Sequence, residues 1–198
     1  AFAISNVVVQ SSINSFDSST IIAGNSAAVN IENFVYIGMG AFSSAAITFT
    51  SQNIGAKNLG QVKKIMGLTM LLDIISAILV AGVINLFASF FLSLYTNDPS
   101  VIQAGTVRLF WVTLFLFLNG ILDIFANSMR GMGHSGIPTL LMLVGVCGFR
   151  LVWLWTVFPQ YRSLPIIYLC FPLSWIITAI FEGLLWLYYY RRLMKSKI

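Results

Sequence analysis

Residues 65–95 read IMGLTMLLDIISAILVAGVINLFASFFLSLY. Asp73 is the only charged residue in this run, and about 20 residues of helix already cross the hydrocarbon core of a bilayer. The run therefore predicts a membrane-crossing helix with residues to spare, one that tilts or extends past the bilayer. Thr96-Asn97-Asp98-Pro99 closes it with a turn signal. Working outward, comparable apolar runs cover about 1–16, 26–50, 107–129, 138–158 and 165–190. The first, ended by Asp17-Ser18-Ser19-Thr20, is short for a full crossing. The chain starts at Ala1 with no methionine and no basic stretch, so a signal peptide is not supported. The start reads as the middle of a helix, and a fragment is expected.

Composition agrees with the runs. Hydrophobic residues make up 58% of the chain and charged residues 9%, with a mean hydropathy of +0.88. Soluble domains carry about 25% charged residues. The expected fold class is an all-α integral membrane protein, a single six-helix bundle over residues 1–198 whose first helix is truncated.

The net charge of +5 could point to nucleic acid, but the positions of the charges exclude it. Lys57, Lys63 and Lys64 form one cluster just beyond an apolar run, and Arg191, Arg192, Lys195 and Lys197 form another. The positive-inside rule places such clusters in the cytoplasm. Alternation then puts Arg130–His134 inside as well, and leaves Arg162 alone in the outer loops, with Arg108 at the outer mouth of the fourth helix. The expected location is the inner (plasma) membrane, multi-pass, with a cytoplasmic C-terminus. Cys147 and Cys170 share no metal-ligand spacing and read as small buried hydrophobes.

Ionisable groups inside a bilayer are costly and need a partner or a watery cavity. Glu32, Asp73, Asp123, Arg150 and Glu182 qualify. Counting at 1.5 Å per residue, Glu32 and Arg150 lie close enough in depth to pair, with Asp123 able to join. Glu32 and Asp123 are candidates for proton or sodium binding, or else for a structural ion pair with Arg150 as counter-ion. Asp73 and Glu182 read as solvated residues near the helix ends. Asn6, Gln10 and Asn119 add amides for hydrogen bonds between helices or for contacts to a bound cation. Tyr36 and Met39 follow Glu32 at helical spacing and share its face. They would line a cavity for flat organic cations or simply pack. Gly38, Gly40 and Ser43–Ala46 supply small residues for close helix approach or a cavity wall. No P-loop, Rossmann fingerprint or catalytic constellation occurs, so neither an enzyme nor a cofactor is expected, beyond a sodium ion or proton for coupling.

Two loops carry a resemblance. Thr50 to Lys57, with Gln52, Gly55 and Ala56, follows the second run; Met129-Arg130-Gly131-Met132-Gly133, with Pro138, follows the fourth. Together with Ile4-Ser5-Asn6 to Gln10, Ala23-Gly24-Asn25 and Phe149-Arg150-Leu151-Val152-Trp153, they resemble the MATE multidrug and toxin extrusion transporters over essentially the whole chain. The resemblance implies two six-helix lobes around a central cavity, with this chain as the C-terminal lobe and an N-terminal lobe missing. It implies export of small organic cations in exchange for sodium or protons. The acidic position that many members carry three turns before the Arg-Gly falls on Asn119 here, with Asp123 one turn later. Two alternatives stand beside it: a lipid-linked oligosaccharide flippase of the same superfamily, and a non-transporting membrane scaffold.

Overall fold

The computed structural model describes residues 2–195, with side chains from Ser5 onward. Ala1 and Lys197 lie outside the described residues. Long apolar runs leave the backbone no partner but itself, and a helix satisfies every such group internally. The chain is accordingly helical: α1 (Phe2–Asn14), α2 (Ser19–Gly55), α3 (Gly60–Leu86), α4 (Ala88–Ser93), α5 (Pro99–Thr113), α6 (Leu116–Gly131), α7 (Gly136–Met142), a π-helical stretch (Leu143–Gly148), α8 (Phe149–Thr156) and α9 (Leu164–Lys195). Among the described residues, five helical stretches are long and apolar enough to cross a bilayer: Ser19–Gly55, Gly60–Leu86, Pro99–Gly131, Gly136–Thr156 and Leu164–Lys195. With 13 residues, α1 reaches about 20 Å, short of a hydrocarbon core of about 30 Å. Phe34, Leu86, Phe90, Leu140 and Trp155 are among the large apolar side chains left exposed, as a lipid-facing surface requires.

Several helix ends differ from the apolar runs, each for a local reason. The second helix starts seven residues before residue 26, because Asp17 takes a left-handed turn and Ser18 caps the helix by accepting from the Ile21 amide. The run 65–95 is not one helix: the backbone leaves helical geometry at Phe87 and restarts as α4. The fourth helix begins at Pro99 rather than near residue 107. Asp98 caps it, accepting from the Ser100 amide (2.9 Å) and hydroxyl (2.6 Å), and Pro99 fits the first helical position. Those hydrogen bonds, from the Ser100 hydroxyl first and its amide second, hold the Asp98 carboxyl below the usual carboxylate range. The same helix bends after Thr113, whose hydroxyl donates to the Leu109 carbonyl one turn back. Arg130 and Gly131, expected in a loop, form the last turn of α6.

The longest helix, α2, organises the bundle: α3, α5 and α6 all pack on it, and α9 closes the far side against α6 and α5. Backbones meet where side chains vanish. A methyl at Gly24 would stand 2.6 Å from the Val101 carbonyl and 2.7 Å from the Gly105 nitrogen of α5; one at Gly131 would stand 2.8 Å from the Ile47 carbonyl of α2. Gly38 and Gly40, expected at a close helix approach or in a cavity wall, have no atom within 4 Å of an added methyl and do not line the cavity described below. Of the loop residues, Gln52 and Gly55 complete the last turn of α2, and the Ala56 amide donates back to the Gln52 carbonyl (2.9 Å). Gly133 has a φ of +86°, the left-handed conformation that glycine adopts without strain. Arg130 donates to Asn127 (3.0 Å) and Thr139 (3.2 Å), tying the end of α6 to α7.

Candidate functional site

The helices border a cavity of about 580 Å³ that draws residues from α1, α2, α5, α6, α7, α8 and α9. Asn6 and Gln10 come from α1, Glu32 and Tyr36 from α2, Asn119 and Asp123 from α6, and Arg150 from α8. Seven of the residues expected inside the membrane therefore share this one space, while Met39 and the loop residues Gln52, Gly55, Ala56, Arg130, Gly131 and Gly133 do not line it. Met39 is buried instead, its methyl against Gly120, because α6 approaches α2 closely at that level and closes the wall.

The expected Glu32–Arg150 pair is not formed. Glu32 is taken by Arg108, whose Nε and Nη2 donate to the two carboxylate oxygens at 2.7 and 2.8 Å. Both side chains are buried, and the two parallel bonds make this the strong, fork-like form of ion pair. The Arg108 Nη1 donates to the Asn25 side-chain oxygen (2.7 Å), which also accepts from the Tyr168 hydroxyl (3.3 Å); the Asn25 amide donates to Gln10 (2.9 Å). One network thus joins α1, α2, α5 and α9. Arg108 was expected at the outer mouth of its helix. Because α5 begins at Pro99, Arg108 lies nine residues inside, roughly 14 Å along the axis. The Asp98-Pro99 pair, read only as a turn, is also a cap followed by a first-turn proline, and that reading places Arg108 correctly.

Arg150 also lies against Phe171. Its guanidinium carbon is 4.2 Å from the centre of that ring and 5.7 Å from that of Trp175, and its Nε donates to the Ser174 hydroxyl (3.3 Å). Arg108 contacts the same Phe171 ring at 5.5 Å. The π-helical stretch before Arg150 explains how it reaches the cavity. Met142 and Arg150 both line it but are eight residues apart, which a regular helix sets about 80° apart. A wide π turn absorbs one extra residue and brings the two within about 20°.

Asp73 and Glu182 are not solvated as expected; both are fully buried, with no hydrogen-bond partner among the described residues. The Asp73 carboxyl packs directly on the backbone at Gly120. Glu182 lies one turn before Trp186, which packs at a tilt against Phe125 and donates to Ser128 of α6 (2.9 Å), so its face of α9 is covered by α6. Asp123 and Asn119 face the cavity half-buried, and no cation stands within ion-pair distance of Asp123 among the described residues. Sequence reasoning missed Asn25, Tyr168, Phe171 and Trp175. Asn25 would have been found by placing the start of α2 at Ser19; the aromatic residues of α9 carry no pattern that separates them from lipid-facing neighbours.

A family model for MatE matches residues 1–156. Among curated proteins the chain is similar to a "Probable multidrug resistance protein NorM" from Streptococcus pneumoniae, 33% identical over 135 residues, which is 66% of this chain and 29% of the relative. A protein of the same description from Thermotoga maritima is 23% identical over 155 residues, 75% of this chain and 33% of the relative. The matched part spans about a third or less of the length of these relatives. A crystal structure of a mutant of the Vibrio cholerae MATE transporter VcmN is similar in fold, with a TM-score of 0.77 at 18% identity, covering 98% of this chain and 43% of that one.

Proposed function

The chain belongs to the MatE family, and from that premise we propose that it is one lobe, the C-terminal one, of a secondary multidrug efflux transporter. In this reading a second six-helix lobe completes the cavity, and the whole protein exports small organic cations in exchange for sodium or protons. The basic end of α9 lies on the cytoplasmic side of the inner membrane, following the positive-inside rule.

The observation that carries the reading is the state of the two candidate carboxylates. Glu32 is committed to Arg108 through two short hydrogen bonds. Asp123 lines the same cavity without a cationic partner among the described residues. A carboxylate that faces an intramembrane cavity and has no ion-pair partner among the described residues is available to a coupling ion or a cationic substrate in turn. Asn119, one turn before it, adds an amide to the same wall. Alternating access then needs only that the two compete.

Expression of the full-length protein in drug-sensitive cells tests this. Accumulation of ethidium should fall, and Asp123→Asn should restore it. Unchanged ethidium levels with the wild-type protein in the membrane would contradict the reading. The flippase alternative calls for several basic groups in the cavity. Arg108 is a second one, but Glu32 cancels its charge, so the geometry favours drug export.

A further inference from the structure

The last turns of α9 carry a stripe of side chains that the bundle does not use. Leu184, Tyr188, Arg191 and Lys195 recur at helical spacing, which sets them within about 60° of one another around the axis. Leu187 and Arg192 flank that stripe. Trp186 and Tyr189, on the other side of the helix, are buried against the bundle, so the stripe points away from it. All six of its side chains are exposed, and they border one surface groove of about 480 Å³. The groove shares no lining residue with the central cavity.

Along its length of roughly 16 Å the groove changes character as a membrane boundary does. Leu184, Leu187 and Tyr188 make an apolar wall, and Arg191, Arg192 and Lys195 follow it. With 32 residues, α9 reaches about 48 Å, more than a hydrocarbon core of about 30 Å. Its basic end therefore emerges at the level of the headgroups, while the apolar wall still faces acyl chains. Tyr188 stands between the two, where an amphipathic ring favours the interface. No acidic residue follows Glu182 in the sequence. Among the described residues, no carboxylate stands within ion-pair distance of Arg191, Arg192 or Lys195.

We propose that the groove at the end of α9 is a binding site for an anionic phospholipid of the adjacent leaflet. The phosphate sits among Arg191, Arg192 and Lys195, where the two planar guanidinium forks match its oxygens. An acyl chain lies along Leu184, Leu187 and Tyr188. A zwitterionic lipid offers the same tail but brings its own cation to a place that already holds three. A soluble phosphate offers the charge without the tail and leaves the apolar wall uncovered. The site lies on the outer surface of α9 and does not rest on the export reading for the central cavity.

Native mass spectrometry of the full-length protein, titrated in detergent with dioleoyl phosphatidylglycerol or dioleoyl phosphatidylcholine, tests this. Wild-type protein should take phosphatidylglycerol at least about tenfold more tightly than phosphatidylcholine, because clustered basic groups beside a membrane surface select anionic lipid. Arg191→Gln with Lys195→Gln should lose one tightly bound phosphatidylglycerol. Lys63→Gln with Lys64→Gln, the same loss of charge at the start of α3, should keep it. All four of these side chains are exposed, so neither double variant disturbs the packing of the bundle. Excess sn-glycerol 1-phosphate, which carries the charged group without a tail, should not displace the lipid. Equal affinities for the two lipids in the wild type would overturn the proposal, whatever the variants do. So would an equal loss in the Lys63 and Lys64 variant, the result of diffuse surface charge. Displacement by sn-glycerol 1-phosphate would overturn it too, since the groove would then be a site for soluble phosphate.

Discussion

Glu32 and Arg108 show what a buried charge demands of its neighbours. Each is buried below 10% exposure, and each is acceptable there only through the other. Removing one partner leaves an uncompensated charge, which costs about 3–5 kcal/mol, whereas removing both is often close to neutral. Glu32→Gln should therefore lower the thermal midpoint of the purified full-length protein strongly, and Glu32→Gln with Arg108→Gln should recover most of the loss. A double variant whose loss equals the sum of the two single losses would show that the pair is not coupled. Gly120 makes a second residue-scale case. A methyl there would occupy the place of the Asp73 carboxyl, so Gly120→Ala should cost about 1–3 kcal/mol by overpacking. In an Asp73→Ala background most of that cost should vanish, as a double-mutant cycle on thermal stability would record. At this scale the sequence was largely readable. Glu32, Asp123, Asn119 and Arg150 stand out because polar groups are rare in such runs. What could not be read was who pairs with whom, since pairing depends on helix starts that hydropathy does not mark.

Helix ends and crossings decide the next scale. The entry to α5 depends on Asp98, and its sign with pH follows from its hydrogen bonds. Its native carboxyl is held below the ordinary value of about 3.9 by the Ser100 hydroxyl and amide. The cap is therefore fully effective above that ordinary value and is lost as pH falls through the lower native one. Amide exchange at the start of α5 should accelerate only in strong acid, and Asp98→Asn should remove that acid step. The α2–α5 crossing depends on Gly24. Gly24→Ala forces the two backbones apart and should cost about 1–3 kcal/mol, measured as loss of thermal stability; no loss would mean the crossing has room it does not display. The break at Phe87 and the π turn at Leu143–Gly148 were invisible in the sequence. No proline marks either, and the first lies inside an unbroken apolar run. The caps at Ser18 and Asp98 were visible as residues, yet their polar surroundings read as loop.

For the molecule as a whole, the membrane class was legible from composition alone, because a surface so poor in charge has no soluble solution. The site was legible as a set of residues before it was legible as a place. The residues expected from spacing converge on one cavity because α1, α2, α6 and α8 all present polar positions to it. Phe171 and Trp175 entered only through the fold. The proposal built on this geometry assigns Asp123 the exchange between coupling ion and substrate, with Glu32 withdrawn into structure. Transport of ethidium by the full-length protein in vesicles, under a sodium gradient or a proton gradient imposed separately, addresses that assignment most directly. One of the two gradients should drive ethidium against its concentration difference, and Asp123→Asn should abolish the movement at unchanged protein level. Accumulation that needs neither gradient, or that persists undiminished in Asp123→Asn, would contradict it.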